Sequence, residues 1–282
     1  MAIETEQAPQ AVRVSVVVVS HNRIVLLRKC LARLGSAYQV IVADNGSTDG
    51  SVQLESDFPH VRFIRIPRNF GLTKALNLGL RSAAGEFVLI LHDDTEITPE
   101  AVAELAAILE SRPEIGAVCP LLVDDDGHPA PQICDLPTSS NPDVSWRPFG
   151  GSEDREVACA SGAAIMYRNF FLKALRYVDE HYGTFGSNLD LNTQVRRSGK
   201  KVLILHRARA VHHAAGEKRD GRVRAQYAAD RAAGTAVYLT KYFGFWAGLK
   251  FRLAKVFAAL GSFRIGELKL LLSGQKVDGT QQ

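Results

Sequence analysis

The sequence is poor in the features that identify several common protein classes. Its 282 residues include only four cysteines, which lack the paired spacing of a zinc site and come without a secretory signal at the start, so we expect free thiols in a reducing cytoplasm. No run approaches the roughly 18 consecutive apolar residues that span a bilayer, so we expect any membrane contact to be peripheral. The first hydrophobic run is followed by Ser20-His21-Asn22-Arg23 and not by a Gly-x-Gly-x-x-Gly turn, which weakens an oxidoreductase interpretation.

The positive charge of the chain is concentrated near its end. The formal net charge is +4, but residues 217–276 contain twelve Lys or Arg against four Asp or Glu, an excess of eight, so the remainder carries −4. A basic strip without a nucleic-acid-reading motif is typical of a solvated or membrane-facing surface. We therefore predict no nucleic-acid partner.

Hydrophobic runs alternate with helical patterns along the chain. Buried strands are predicted at 14–19, 40–43, 61–66 and 87–91. Regular structure is expected to return at 163–167, and 201–205 is predicted as a strand. Helices are predicted at 24–34, 71–84, 99–111, 169–175, from about 188, and at 222–242 and 245–272. The stretch 123–156 is irregular, which favours a mobile active-site loop over a linker and leaves both open. This order predicts an α/β fold with parallel strands joined by helices.

Polar clusters interrupt the first half of the chain, most of them where a predicted strand ends. They are Ser20-His21-Asn22-Arg23, the segment from Asp44 to Gly50, Arg68-Asn69-Phe70-Gly71 and His92-Asp93-Asp94. The carboxyl ends of parallel strands gather along one edge of a sheet, where nucleotides bind. The clusters therefore predict a site for a nucleotide and a metal at that edge.

Taken in order with later segments, these clusters resemble the inverting glycosyltransferases of family two. The resemblance runs from Val12 to Gly216, and its later segments are Asn77-Leu78-Gly79, Gly85-Glu86, Ser161-Gly162-Ala163, Val178-Asp179-Glu180, Phe185 to Leu191 and Val211-His212-His213. It implies the GT-A fold, a Rossmann-like α/β fold for nucleotide-diphospho-sugar transferases. We expect a disordered leader at 1–11, a catalytic domain at 12–216 with a nucleotide half to 122 and an acceptor half from 123, and a basic helical extension at 217–282.

The resemblance assigns the first clusters to the nucleotide of a dTDP-, UDP- or GDP-linked sugar donor. Asp44 is suited to accept a hydrogen bond from a pyrimidine N3–H, and the turn after it offers amides and hydroxyls. The predicted nucleotide-binding residues are Ser20, Asn22, Arg23, Asp44, Asn45, Ser47, Asn69, Gly71, Lys74, Asn77, His92 and Asp93. Ser161, Gly162 and Trp146 are predicted to contact the donor sugar or the acceptor.

The same resemblance implies a divalent ion, Mg²⁺ or Mn²⁺, at the position of the family's Asp-any-Asp motif. Such an ion bridges the donor diphosphate and neutralises the leaving group. The first Asp of the motif is His92 here, so the predicted ligands are Asp94, then Asp93, with His213 as a further ligand. The acidic run from Asp124 to Asp126 is interpreted as a solvated turn.

The catalytic base is the largest departure from the family. An inverting transfer needs a carboxylate to remove the acceptor hydroxyl proton, and the residue at the usual position is Asn188, whose amide cannot take that proton at neutral pH. Two hypotheses for an active enzyme follow. Either another carboxylate is the base, with Asp190, Asp143 and Asp154 as the candidates, or the transfer tolerates a weak base. Asp190 has an equally good structural interpretation, because an Asp in the first turn of a helix favours its dipole and can orient Arg196 or Arg197. A catalytically weak or inactive protein that binds its sugar nucleotide, or a scaffold that partners an active transferase, stays a further alternative.

The region after His213 resembles the rhamnosyltransferase branch of the family, which extends lipid-linked glycans on the inner face of bacterial membranes. We expect a glycan or polyprenyl-diphosphate-linked acceptor, with dTDP-rhamnose as the preferred donor. On a helical wheel, residues 245–260 form an apolar face flanked by Lys250, Arg252 and Lys255. Such a face suits an anionic membrane surface or packing on the protein's own domain, and the sequence leaves these equal.

Overall fold

The structure, a computed structural model, describes residues 13–213, 221–262 and 265–273. The predicted leader, Gly216 and Lys218 lie outside the described residues. The helices are α1 (Ile24–Leu34), α2 (Leu54–Asp57), α3 (Leu72–Arg81), α4 (Pro99–Ser111), α5 (Asn169–Ala174), α6 (Ser187–Arg197), α7 (Gly221–Phe243), α8 (Phe245–Gly261) and α9 (Ile265–Ser273). The strands are β1 (Val14–Ser20), β2 (Gln39–Asp44), β3 (Val61–Arg65), β4 (Phe87–His92), β5 (Thr95–Ile97), β6 (Ile115–Val123), β7 (Pro131–Cys134), β8 (Arg147–Pro148), β9 (Arg155–Val157), β10 (Cys159–Ala160), β11 (Ala164–Arg168) and β12 (Lys201–His212).

The described residues form a mixed sheet in the order β3-β2-β1-β4-β11-β6-β12-β5, with β9 also paired to β12. β1, β2, β3 and β4 are parallel, and β11 is antiparallel to both of its neighbours. Alternate residues of β1 enter cores on opposite faces, since Val16 packs with α1 and α4 while Val17 packs with α3 and α6. The predicted α/β fold with buried parallel strands is therefore confirmed.

Two predictions about local structure were wrong. The stretch 123–156 is not wholly irregular, because β7 pairs with β8 and β10 in a small second sheet and β9 joins β12. The helix predicted at 245–272 is divided into α8 and α9. The strand predicted at 201–205 continues to His212 past an irregularity between Leu205 and Arg209, and this extension positions the site.

The helices after the catalytic segments pack closely on one another. Leu189 of α6, Tyr238 of α7 and Phe251 of α8 belong to one hydrophobic cluster. At Gly248 of α8 a Cβ atom would lie 2.0 Å from the Thr240 hydroxyl of α7, so only glycine permits this approach. None of the helices in the described ranges has the length and hydrophobicity needed to cross a bilayer. The four cysteines are buried and free, in agreement with the absence of disulfides expected from the sequence.

Candidate active site

The carboxyl ends of three parallel strands bring the predicted polar clusters together. In the register of the sheet, Ser20 of β1 lies opposite Asp44 of β2, and His92 of β4 lies opposite Val19. The Ser20 hydroxyl donates to Asp93 Oδ2 at 2.8 Å. The sheet edge therefore carries both the nucleotide and the metal candidates.

The turn after β2 is held by the Asp44 carboxylate. Arg65 Nη1 donates to Asp44 Oδ2 at 2.6 Å, and the Ser47 amide donates to Oδ1 at 3.0 Å. Gly46 has a φ of +77°, and a Cβ atom there would lie 2.6 Å from the Arg68 backbone, so glycine is required. Arg65 is a partner of Asp44 that the sequence analysis missed, although its position at the end of the neighbouring strand was a signal for it.

Amide side chains tie the remaining nucleotide candidates to this turn. Asn45 Nδ2 donates to Asn69 Oδ1 at 2.9 Å, and the Gly71 amide donates to the same oxygen at 2.8 Å. Asn22 accepts from the Thr48 amide at 2.7 Å and donates its own backbone amide to the Ser47 hydroxyl. The structure thus brings Asn22, Asn45, Ser47, Asn69 and Gly71 into one connected group around Asp44.

Two nucleotide candidates on α3 lie in different surroundings. Asn77 is buried, and its amide both donates to and accepts from the backbone of Val178, at 2.8 and 2.9 Å. It also donates to Glu180 Oε1 at 2.9 Å. This placement favours a structural role that joins α3 to the segment before α6 over the predicted nucleotide contact. Lys74, by contrast, is exposed on the same helix.

His92, Asp94 and His212 form a cluster that can hold a metal ion. Asp94 Oδ1 lies 3.4 Å from His212 Nε2 and 3.9 Å from His92 Nδ1. The other oxygen, Oδ2, accepts from Arg23 Nη1 at 2.7 Å. One carboxylate oxygen therefore faces two imidazoles while the second is occupied by a guanidinium. Ligand atoms of the three residues lie within 4.8 Å of one another.

The structure places two of the predicted metal ligands, His213 and Asp93, outside this cluster. Adjacent residues of a strand point to opposite faces, so only one member of the His212-His213 pair can face Asp94. That member is His212, while His213 Nε2 lies 2.7 Å from Glu96 Oε1 and its Nδ1 contacts Asp125. Asp93 accepts from Ser20 and is not a member of the candidate metal cluster. His92, predicted to bind the nucleotide, belongs to that cluster.

The pKa values of Asp93 and Asp94 are shifted in opposite directions. Burial raises the pKa of Asp93 to about 7, against the lowering effect of Arg23, which lies 3.7 Å away. Burial alone would also raise the pKa of Asp94, but the hydrogen bond with His212 and the charges of His92 and Arg23 hold it well below its usual range. Asp94 is thus ionised at neutral pH.

The position of the usual base adjoins this cluster. A Cβ atom built on Gly162 would lie 3.4 Å from Asn188 Cβ and 4.0 Å from His92 Nε2, so Gly162 separates the two side chains by about one methyl group. The backbone before Gly162 is fixed by a hydrogen bond, since the Ser161 amide donates to the Gln132 backbone carbonyl at 2.7 Å. Of the predicted sugar-contacting residues, Ser161 and Gly162 lie here, while Trp146 packs against the cluster of α6, α7 and α8.

Asp190 is buried and bonded to α7. Lys241 Nζ lies 2.9 Å from Asp190 Oδ1 and donates to Oδ2 at 3.1 Å. The hydroxyls of Tyr242 and Tyr182 donate to Oδ1 at 2.7 and 3.4 Å. The structural interpretation of Asp190 is therefore favoured over a role as base, although its partners are Lys241 and the tyrosines and not Arg196 or Arg197.

Asp230 of α7, which the sequence analysis missed, binds the backbone of the segment before α6. Its Oδ2 accepts from the amides of Thr184 and Phe185, at 2.9 and 3.1 Å, and it is almost fully buried. Where α7 crosses Phe185, a Cβ on Gly234 would lie 2.2 Å from the Phe185 carbonyl oxygen. Helix α7 therefore fixes the chain that leads into Asn188, although it follows the predicted catalytic domain.

The other candidate acids have partners elsewhere. Asp143 is exposed and pairs with Lys255 of α8 at 2.7 Å. Asp154 accepts from the His206 amide at 2.9 Å, beside the paired strands β9 and β12. Asp124 accepts from the amides of Asp126 and His128, which is the hydrogen bonding of a turn and agrees with the interpretation made from the sequence.

Comparisons with known proteins agree with this geometry. The model of Glycosyl transferase family 2 matches residues 15–176, which is more than half of the chain. A relative from Mycobacterium tuberculosis, an N-acetylglucosaminyl-diphospho-decaprenol L-rhamnosyltransferase, is 26% identical over 264 residues, covering 82% of this chain and 85% of the relative.

Two solved structures share the fold. The mannosyltransferase PcManGT from Pyrobaculum calidifontis, in complex with GDP-Man and Mn²⁺, has a TM-score of 0.56 and 19% identity over 93% of this chain and 79% of its own. GalNAc-T7 with UDP, GalNAc and Mn²⁺ has a TM-score of 0.58 and 18% identity, and the match covers 73% of this chain and 44% of that protein. The GT-A fold expected from the sequence is confirmed.

Proposed function

The chain belongs to Glycosyl transferase family 2, and from that premise we propose that it transfers a sugar, with inversion, from a nucleoside-diphosphate donor to a polyprenyl-diphosphate-linked glycan. The observation that carries the proposal is the position of the His92, Asp94 and His212 cluster beside the Asp44 turn on one sheet edge. A nucleotide bound at the turn would direct its diphosphate toward the cluster. The solved relatives with UDP and GDP-Man support this donor class.

The polar turn would select the nucleotide. Asp44 would accept from the base N3–H, with Arg65 holding its carboxylate in place, while Ser47 and Asn22 line the same turn. Uracil and thymine both carry this N3–H, so the contact favours UDP or dTDP as the carrier.

The residues of the cluster fit a divalent cation, because a carboxylate oxygen and two imidazole nitrogens lie within 4.8 Å of one another. His92, Asp94 and His212 would hold it. The ion would supply positive charge to the donor diphosphate and so stabilise the leaving group. Arg23, bonded to the outer oxygen of Asp94, would orient that carboxylate and add a second positive charge beside the diphosphate.

Proton removal is the step for which this chain lacks the usual group. Asn188 would position the acceptor hydroxyl by hydrogen bonding but would not take its proton. Since Asp190 is occupied by Lys241 and Tyr242, we infer that the hydroxyl proton passes to water, a weak base, as the oxygen attacks. The rate of such a transfer depends mainly on the leaving group and on substrate positioning.

The acceptor and the sugar follow from the M. tuberculosis relative, whose name describes rhamnosyl transfer to a diphospho-decaprenol-linked sugar. Coverage of 85% of that relative supports a similar acceptor class here. We propose rhamnose, carried by dTDP, as the first donor to test.

A lipid-linked acceptor requires the enzyme to work at a membrane, and α8 carries a suitable surface. Its apolar face, defined here as Trp246, Leu253, Phe257 and Leu260, lies on the side of the helix away from Gly248, the point of contact with α7. These side chains are between 45% and 69% exposed. The excess positive charge of residues 217–276 would attract an anionic surface, so we propose peripheral binding to the inner face of the plasma membrane.

Vesicle sedimentation tests the membrane proposal. The full chain should bind phosphatidylglycerol vesicles at low salt and bind phosphatidylcholine vesicles weakly. Replacing Trp246 and Phe257 by Ser should reduce binding at least tenfold, while Val25→Ser, at an equally exposed apolar residue of α1, should leave it unchanged. Equal binding of the double variant would show that α8 is not the membrane surface.

The transfer itself is tested in two steps. Calorimetric titration with UDP, dTDP and GDP, each with and without Mn²⁺, identifies the nucleotide, and the matching sugar donor is then offered with a polyprenyl-diphosphate-linked N-acetylglucosamine. Metal-dependent binding followed by transfer supports the proposal. Binding without hydrolysis or transfer would favour a sugar-nucleotide-binding protein without turnover, and no nucleotide binding would refute the assignment of Asp44.

A further inference from the structure

His92 changes the chemistry of the metal site. The family pattern places an Asp at this position, and in this chain His92 brings an imidazole nitrogen to the same cluster. His92 Nδ1 faces Asp94 Oδ1, and its ring packs edge to face against that of His212, with the centroids 6.2 Å apart. The site therefore contributes two nitrogen atoms and one oxygen atom.

The spacing of these atoms suits one ion. Ligands at about 2.1 Å from a metal and at right angles lie about 3 Å apart. The distances from Asp94 Oδ1 to His212 and His92, 3.4 and 3.9 Å, exceed this by less than 1 Å, and all three ligand atoms lie within 4.8 Å of one another, so side-chain rotations would bring them around one ion. Arg23 holds Oδ2, which leaves Oδ1 as a single, directed carboxylate ligand.

The arrangement also leaves an open side. The side chains of Asp94 and His212 are 6% and 17% exposed, whereas that of His92 is 41% exposed. An ion held by these three residues would keep further coordination positions for diphosphate oxygens. Open coordination of this kind is typical of catalytic metal sites and not of closed structural ones.

We propose that His92 makes this a site for transition-metal ions such as Mn²⁺, Co²⁺ or Zn²⁺, in preference to Mg²⁺. Mg²⁺ binds oxygen ligands and gives up its water reluctantly, whereas imidazole suits the transition metals. A set of two imidazoles and one carboxylate therefore discriminates against Mg²⁺ more strongly than a set with two carboxylates. The inference rests on the proposed metal-assisted transfer, and its test uses metal binding alone.

The test measures the affinity of the untagged full chain for Mn²⁺ by the loss of the free-ion electron paramagnetic resonance signal, with Mg²⁺ as competitor. We expect Mg²⁺ to compete at least a hundredfold more weakly than Mn²⁺. Co²⁺ should give a visible absorption band that depends on His92 and His212. Mg²⁺ competing as well as Mn²⁺ would overturn the proposal.

Substitutions distinguish selectivity from loss of the site. His92→Asp should retain Mn²⁺ but lower the preference for Mn²⁺ over Mg²⁺ at least tenfold, whereas His92→Asn should weaken Mn²⁺ binding. His206→Asp, at a histidine of β12 remote from Asp94 in the sheet register, is the matched control and should change neither. An unchanged preference in His92→Asp, with circular dichroism showing a folded protein, would refute the role of His92.

The acidic turn supplies the competing explanation. Asp124, Asp126 and His128 also bring three potential ligands together, on an exposed loop. Mn²⁺ binding that survives His212→Asn and is lost in Asp126→Asn would assign the ion to that loop and overturn the proposal. Selective Mn²⁺ binding without sugar transfer would refute the proposed function alone, whereas transfer supported equally by Mg²⁺ would refute the selectivity alone.

Discussion

Replacing Asp190 by Asn tests whether this residue is a base or a structural anchor. Its side chain is 6% exposed, and it accepts from Lys241, Tyr242 and Tyr182. Asn keeps an acceptor oxygen and the size of the side chain but loses the negative charge. The variant therefore removes the charge that pairs with Lys241 and leaves the packing of α6 against α7 in place.

The expected cost follows from the burial of the two partners. Removing one member of a fully buried ion pair costs about 3–5 kcal/mol. Lys241 is 32% exposed and keeps a second partner, Asp179, at 2.8 Å, so we expect a cost below that of a fully buried pair, about 2–3 kcal/mol. For a chain of this size that loss lowers Tm by roughly 5–10 °C. Asp143→Asn, which breaks the exposed pair with Lys255, is the control and should cost less than about 1 kcal/mol.

The assay combines thermal and urea unfolding with donor turnover, measured well below the Tm of the variant. A structural anchor gives reduced stability with kcat within about threefold of the parent protein. A general base contributes about 10²–10⁴ in rate, so its loss would reduce kcat by that factor. A variant of Asp190 with unchanged stability and a kcat reduced more than a hundredfold would refute our interpretation.

Three further predictions concern the base, the donor and pH. Asn188→Asp should raise kcat by about a hundredfold, because it supplies a carboxylate where the hydroxyl proton is released, and an unchanged kcat would mean that another group accepts it. Asp44→Asn should weaken UDP and dTDP binding about tenfold in calorimetry, and equal affinity would exclude a contact between Asp44 and the pyrimidine ring. Burial alone would raise the pKa of Asp179, but hydrogen bonds from Lys241 and His181 lower it to about 2, so its stabilisation is present above pH 4 and is lost as the pH falls toward 2. The urea midpoint should therefore fall less between pH 5 and pH 3 in Asp179→Asn than in the parent protein, and equal falls would contradict this.

The nucleotide half could be predicted well because its signals are local. Short β-branched runs determined the strands, and helices 24–34 and 99–111 coincide with α1 and α4. Thr98 shows why, since its hydroxyl accepts from the Ala101 amide and Pro99 follows it, so the start of α4 is encoded in consecutive residues. Polar residues at strand ends then had to meet at one edge, as Ser20 and Asp44 do.

The positions of individual site residues could not be predicted where they depend on tertiary register. His212 and His213 are adjacent and identical in chemistry, and only the pairing of His212 with Thr95 decides which imidazole faces Asp94. The family pattern favoured His213 by position along the chain. Asn77 is a similar case, because its burial depends on Val178, about a hundred residues later. No local pattern contains either contact.

The boundary between a catalytic domain and a separate helical extension was also drawn from sequence alone, and the contacts of α7 argue for a closer relation. Asp230 holds the chain before α6, and Lys241 and Tyr242 hold Asp190, two residues after Asn188. Tyr242 lies at the end of α7 and Trp246 at the start of α8, with Gly244 between the two helices. The apolar face of α8 thus begins next to the segment that would receive the acceptor.

This proximity suggests how the exposed apolar face of α8 would serve the reaction: it would hold the site at the membrane surface. A polyprenyl diphosphate keeps its chain in the bilayer and its glycan at the membrane surface, so the attacking hydroxyl can reach only a site held close to that surface. Docking through Trp246 would hold Asn188 close to that surface, because Tyr242, four residues before Trp246, donates to Asp190, two residues after Asn188. The Asp190 anchor would then orient the base segment relative to the membrane. On this argument Asp190→Asn should impair transfer to a lipid-linked acceptor in vesicles more than hydrolysis of the donor in solution, and equal effects on both would separate α8 from acceptor delivery.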